Sequence, residues 1–229
     1  MPLFFVSWIT VISMAAPYSA DIPPGLKGFE QNKTIPSVIE KNVLQALSHY
    51  PELKETDIRF VFKQNLKGSV MAARPVFGSL FRKKKNRAYQ ILINSTFRLP
   101  NTIEPIHQIP DSVMVGWIGH ELGHVMDYER RSGMGVIGFG FGYIFSKKYV
   151  RKAERVADTY AVEHGMADYI IATKNFILEH AGLPQAYKDK IARLYLSPDD
   201  IVELVTELEQ EEQDAVKQEM LQEVEKEAK

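Results

Sequence analysis

The chain has no cysteine among its 229 residues. Disulfides and thiolate-ligated zinc are therefore excluded, and no thiol is available for lipoprotein-type attachment. For the same reason, cysteine usage says nothing about the redox compartment. An excess of charge of one sign is also missing: 28 Lys and Arg stand against 29 Asp and Glu, a net charge of −1. That balance gives no electrostatic reason to expect a nucleic-acid partner. No apolar run reaches the ~20 residues that a membrane-crossing helix needs, and no internal repeat is found. What is present is an ordinary globular composition, 45% hydrophobic and 25% charged. One domain plus a tail is its natural organisation.

The most informative residues are His120-Glu121-Leu122-Gly123-His124. Histidines four apart lie one helical turn apart, so both imidazoles can reach one metal ion. The Glu beside the first His then faces the water bound to that ion. This is the H-E-x-x-H arrangement of zinc peptidases. The pentapeptide alone arises by chance in about one chain in thirty of this length, so its setting matters. Pro110-Asp111-Ser112 offers a helix N-cap and Gly133 a C-terminal stop. Between them Val113, Met114, Trp117, Ile118, Leu122 and Val125 recur at helical spacing. The alternative is a buried helix with two hydrogen-bonded histidines. It would leave Glu121 in an apolar stretch without a task.

A zinc peptidase needs a third ligand and an open fourth position. Ala153-Glu154-Arg155-Val156-Ala157-Asp158 supplies a carboxylate pair four residues apart, hence on one helix face. Glu154 can bind the metal while Asp158 fixes the tautomer of a ligand histidine. A solvated helix face has the same spacing. Here the pair follows the histidine helix and is flanked by Ala157, Ala161 and Val162, a surface for packing on another helix.

HELGH followed by ERVAD resembles the glutamate-type zincins, or gluzincins. It looks most like the family of the CAAX prenyl endopeptidases and the HtpX-type quality-control peptidases, whose second motif often reads E-x-x-A-D. The resemblance covers about fifty residues, from Asp111 to about Gly165. It implies one zinc held by His120, His124 and Glu154, Glu121 as general base and Asp158 as the partner of a ligand histidine. Twenty-nine residues separate His124 from Glu154, more than in compact thermolysin-like enzymes. The membrane-embedded members also surround this core with transmembrane helices, which the chain lacks.

The expected fold is α+β and zincin-like, with a small N-terminal sheet followed by a mainly helical active-site and C-terminal region. An amphipathic helix is predicted over 36–50 and strands over 58–62, 69–76 and 88–94. The last of these is the predicted edge strand that would hold an extended substrate. Further helices are predicted over 167–180 and 184–196, and a long one from Asp199 onward. The stretch 199–229 holds twelve acidic and three basic residues and reads as an acidic solvated helix or tail, or as a partner-binding coiled coil.

Residues 1–20 read as a signal peptide, with residues 2–16 uncharged and mostly apolar and small residues after them, which implies an extracytoplasmic protein. A buried helix or an uncleaved membrane anchor is the alternative. The zincin-like metallopeptidase domain would then span 21–198.

Two segments invite contact with a membrane. Residues 82–87 are a basic cluster suited to a solvated hairpin loop, anionic lipid or an acidic substrate. Residues 133–146 are glycine-rich, with large apolar side chains alternating with glycine, as in a packed connection, a flap over the cleft or a membrane-touching loop.

The predicted function is therefore hydrolysis of a protein or peptide substrate by metal-activated water. The donor to the oxyanion is left open among Tyr160, His164, Tyr169 and His180. From a different class, a non-catalytic envelope scaffold would also fit a helical fold, although a scaffold has no need of Glu121.

Overall fold

The computed structural model describes residues 22–64, 66, 69–98, 103–180 and 182–227. The apolar segment on which export was predicted lies outside them. The described chain is α+β. It opens with a short helix α1 (Pro24–Lys27), a strand β1 (Lys33–Thr34) and helix α2 (Glu40–Ser48). Strands β2 (Asp57–Lys63), β3 (Met71–Pro75) and β4 (Ala88–Asn94) follow, then a small hairpin of β5 (Thr96–Arg98) and β6 (Ile103–Pro105). Six helices complete the chain: α3 (Asp111–Arg130), α4 (Gly133–Phe145), α5 (Lys147–Glu163), α6 (Ala167–Glu179), α7 (Gln185–Leu194) and α8 (Pro198–Glu227). No helix among the described residues is long and apolar enough to cross a membrane.

The main sheet has the order β1-β2-β4-β3. β1, β2 and β4 run parallel, and β3 returns antiparallel along β4, pairing Ala73 with Ile91. The predicted edge strand, 88–94, is therefore interior, and β3 is the edge. The sequence carries the reason. Ala88, Tyr89, Ile91, Leu92 and Ile93 are all buried, a near-continuous apolar run typical of a strand covered on both faces. β3 instead carries an exposed Arg74 and ends in Pro75, and proline cannot donate within a sheet interior.

α3 is the core helix. Sixteen of its twenty residues are buried, from Val113 to Tyr128. It packs against α2, β3, α5 and α6, so it has no solvent face. Tyr50, just after α2, donates from its buried hydroxyl to the Gly119 carbonyl at 2.8 Å. The start of α3 differs from the prediction: Pro110 occupies the cap position with no side-chain cap, and Asp111 accepts from Asn42 instead. Its end differs as well. α3 stops at Arg130, and Gly133 opens α4, whose cap is Ser132 accepting from the Gly135 N–H. α8 is capped by Ser197, reciprocally with Asp200. Its first turns belong to the core, with Ile201 buried and Leu204, Val205 and Leu208 packed on it.

Candidate metal centre

Helices α3, α4, α5 and α6, the loop after α7 and strand β3 build the site. α3 contributes His120, Glu121 and His124 one turn apart. α5 runs alongside and contributes Glu154 and Asp158. The approach is close because Gly123 sits between the histidines: a Cβ there would lie 2.4 Å from the Ala157 carbonyl oxygen. Glycine at that one position lets the two backbones meet, and Glu154 thereby reaches both rings.

His120 Nε2 lies 3.1 Å from Glu154 Oε2, and His124 Nε2 lies 3.4 Å from the same oxygen. One ligand atom from each of the three residues lies within 4.8 Å of the others, and all three side chains are buried. Ligands at 2.0–2.2 Å in a tetrahedral shell lie roughly 3.3–3.6 Å apart. The donor set and its spacing fit a metal ion, and this buried triad could hold one. His124 Nδ1 is buried and makes no hydrogen bond among the described residues.

His120, in contrast, has its other nitrogen fixed. Its Nδ1 is 2.8 Å from Asp158 Oδ1, which leaves Nε2 to face Glu154. Asp158 is fully buried. It also accepts from Lys174 Nζ with both oxygens at 3.0 Å and from the Leu196 N–H at 3.0 Å. Burial by itself would raise the Asp158 carboxyl. The Lys174 charge and His120 outweigh that and hold it below the usual carboxylate range. Burial likewise opposes ionisation of Glu154, yet the two imidazoles hold its carboxyl well below normal. Burial lowers the His120 imidazolium, but the charge and hydrogen bond of Asp158, then those of Glu154, dominate and lift its pKa to about 10.

Glu121 Oε2 accepts from the Ala73 N–H of β3 at 2.5 Å. Burial raises its carboxyl above the ordinary range, against the pull of His124 and His120. Glu121 and His120 together line a cavity of about 40 Å³ that also touches Met71, Trp117, Ile177 and Tyr195. That volume holds a few water molecules.

Of the four predicted oxyanion donors, none lines this cavity. The Tyr160 ring lies under Arg130 at 4.9 Å. His164 stacks on Tyr50 at 4.5 Å and reaches Glu52 at 3.3 Å. Tyr169 meets His49 edge-on. His180 packs on Phe176 and accepts from the Gly182 N–H at the end of α6.

Three side chains not singled out from the sequence stand at the site instead. Tyr143 of α4 donates to Glu154 Oε1. The Tyr195 ring lies 5.3 Å from that of His120. Lys174 holds Asp158. A signal for Lys174 was present: it falls on the apolar face of α6, with Ile170, Thr173 and Ile177, and a cation there requires a buried partner.

Comparison of the chain with protein-family models, with curated proteins and with solved structures finds no match.

Proposed function

We propose that the chain is a zinc-dependent endopeptidase with a zincin-like domain of the gluzincin type, acting outside the cytoplasm on a protein or peptide substrate. One observation carries the proposal. Two imidazoles and a carboxylate converge at metal-ligand spacing, and a second carboxylate, Glu121, lines a cavity together with one of those imidazoles, His120, its neighbour on α3. A structural metal site has no need of that second carboxylate.

His120, His124 and Glu154 would hold one zinc ion. Bound zinc lowers the pKa of water to roughly 7 and polarises a carbonyl. With zinc bound, Glu121 would serve as general base and then pass the proton to the leaving amine, a role suited to a carboxyl raised by burial. Asp158, backed by Lys174, keeps the His120 ring in one tautomer and orientation.

The edge strand β3 supports a peptide substrate. Its residues at 71, 73 and 75 alternate outward from β4. At Ala73 both backbone groups meet α3, the N–H at Glu121 and the carbonyl at Tyr128. Met71, two residues on, borders the cavity and would pair with an extended backbone. A zincin-like assignment also gains support from this antiparallel edge strand lying against the H-E-x-x-H helix.

The test is digestion of casein or a peptide library by zinc-loaded wild type and Glu121→Gln. The variant is expected to keep its zinc and fold while turnover falls by about 10²–10⁴. Equal turnover would refute the base role. Zinc without turnover in the wild type would favour a binding scaffold. Export is tested by N-terminal sequencing of the protein from its native host; a chain still starting at Met1 in the cytosol would contradict it.

A further inference from the structure

We propose that α4 and the turn before β4 form a docking surface for an anionic membrane, which the chain touches without crossing. This lies beyond the peptidase proposal and does not depend on it.

α4 has two apolar faces. One is committed to the protein: Val136 and Phe139 are buried, and Phe139 packs on Tyr128, Tyr149 and the Arg131 guanidinium. The other is not. Met134, Phe141, Ile144 and Phe145 are 72%, 62%, 74% and 80% exposed. At the helical angle of ~100° per residue these four share an arc of about 100°. So many large apolar groups along one helix face mark a binding surface.

The patch continues past the start of α4. A Cβ at Gly133 would lie 2.4 Å from the Leu80 carbonyl oxygen, and Arg87 donates to the Arg131 carbonyl at 2.8 Å. The turn carrying Phe77 and Phe81 is thereby fastened beside that end of the helix. These two rings meet edge to face and are 67% and 69% exposed.

Charge selects the occupant. The overall balance of the chain hides a local excess. Residues 58–103 contain ten Lys and Arg and no acid, and residues 131–153 contain five and no acid. Exposed cations stand at both ends of the apolar stripe, at 82–85 near its start and at 147–148 and 151–152 beyond its end. An apolar stripe bracketed by cations suits acyl chains under anionic headgroups. A second copy meeting face to face would bring like charges together. Thirteen residues, about 20 Å of helix, are too short to span a bilayer, and the inner face of α4 is already taken. The helix therefore lies in the plane of the interface.

With no native cysteine, Ile144→Cys can carry a single environment-sensitive fluorophore on the full chain, and Val202→Cys on α8 serves as the control. On vesicles with about 30% anionic phospholipid, the label at 144 is expected to brighten and shift to the blue while that at 202 does not. Phe141→Ser with Phe145→Ser should lower vesicle partitioning by about tenfold or more, and neutral vesicles should bind much less. Three results would overturn the proposal. These are unchanged partitioning of the double variant, equal binding to neutral vesicles, and a spectral shift at 144 that needs only more protein and coincides with dimer mass. No turnover is read, so failure here is distinct from failure of the peptidase proposal.

Discussion

A Cβ built on Gly116 or Gly123 of α3 would lie 2.2–2.4 Å from Thr173, Tyr169 or Ala157, whereas on Gly138 or Gly140 of α4 it would meet nothing within 4 Å. In α3, glycine makes room. It lets α5 and α6 come close enough for Glu154 to reach both histidines and for Lys174 to reach Asp158. In the middle of α4, at Gly138 and Gly140, glycine makes room for nothing. These two each cost the helix about 1 kcal/mol relative to alanine with no packing in return. The contrast extends to polarity. The charged groups around α3 are paired in the interior, while α4 leaves four large apolar side chains in solvent.

Breaking the buried pair behind the site should have the largest effect. Lys174→Met leaves Asp158 buried with only His120 and the Leu196 N–H. Loss of one partner of such a pair costs about 3–5 kcal/mol, which denaturant unfolding of the metal-free chain would measure. Zinc affinity should also fall, by about 10–100-fold. An unchanged midpoint and unchanged zinc affinity would show that Lys174 is dispensable.

Glycine substitutions sharpen the comparison because the same change should act with opposite sign. Gly123→Ala drives a methyl into the Ala157 backbone and must push α5 away, at about 1–3 kcal/mol and with weaker zinc binding. Gly138→Ala should raise stability by about 1 kcal/mol. Thermal melts of the two variants read both effects. Destabilisation by Gly138→Ala, or tolerance of Gly123→Ala, would erase the distinction between the helices. If α4 moves during turnover, Gly138→Ala will also lower kcat; unchanged kinetics would leave it a connector.

What could be read in the sequence was what lies within one helix or repeats along it. H-E-x-x-H and E-x-x-x-D each place two groups on one face through local geometry, so the buried triad that could hold a metal ion, and Asp158 beside it, were legible in the sequence. Helices α6 to α8 and the sheet-then-helix order were legible from periodicity and caps. What depended on tertiary packing was not. The run 88–94 is the clearest strand in the sequence, but its two covered faces make it interior and leave β3 as the edge. Gly133 has the look of a helix stop, yet Ser132 before it caps the next helix. None of the four expected oxyanion donors lines the cavity, whereas Tyr143, Lys174 and Tyr195 reach the site only because α4, α6 and the loop after α7 fold back around α3.

The most direct test is zinc stoichiometry by equilibrium dialysis and elemental analysis, for the wild type, Glu121→Gln and Glu154→Ala. One zinc per chain is expected in the first two and a large loss in the third, since Glu154 supplies the oxygen that both imidazoles face at 3.1 and 3.4 Å. Undiminished zinc in Glu154→Ala, or none in the wild type, would contradict the assignment of this buried triad as the metal centre.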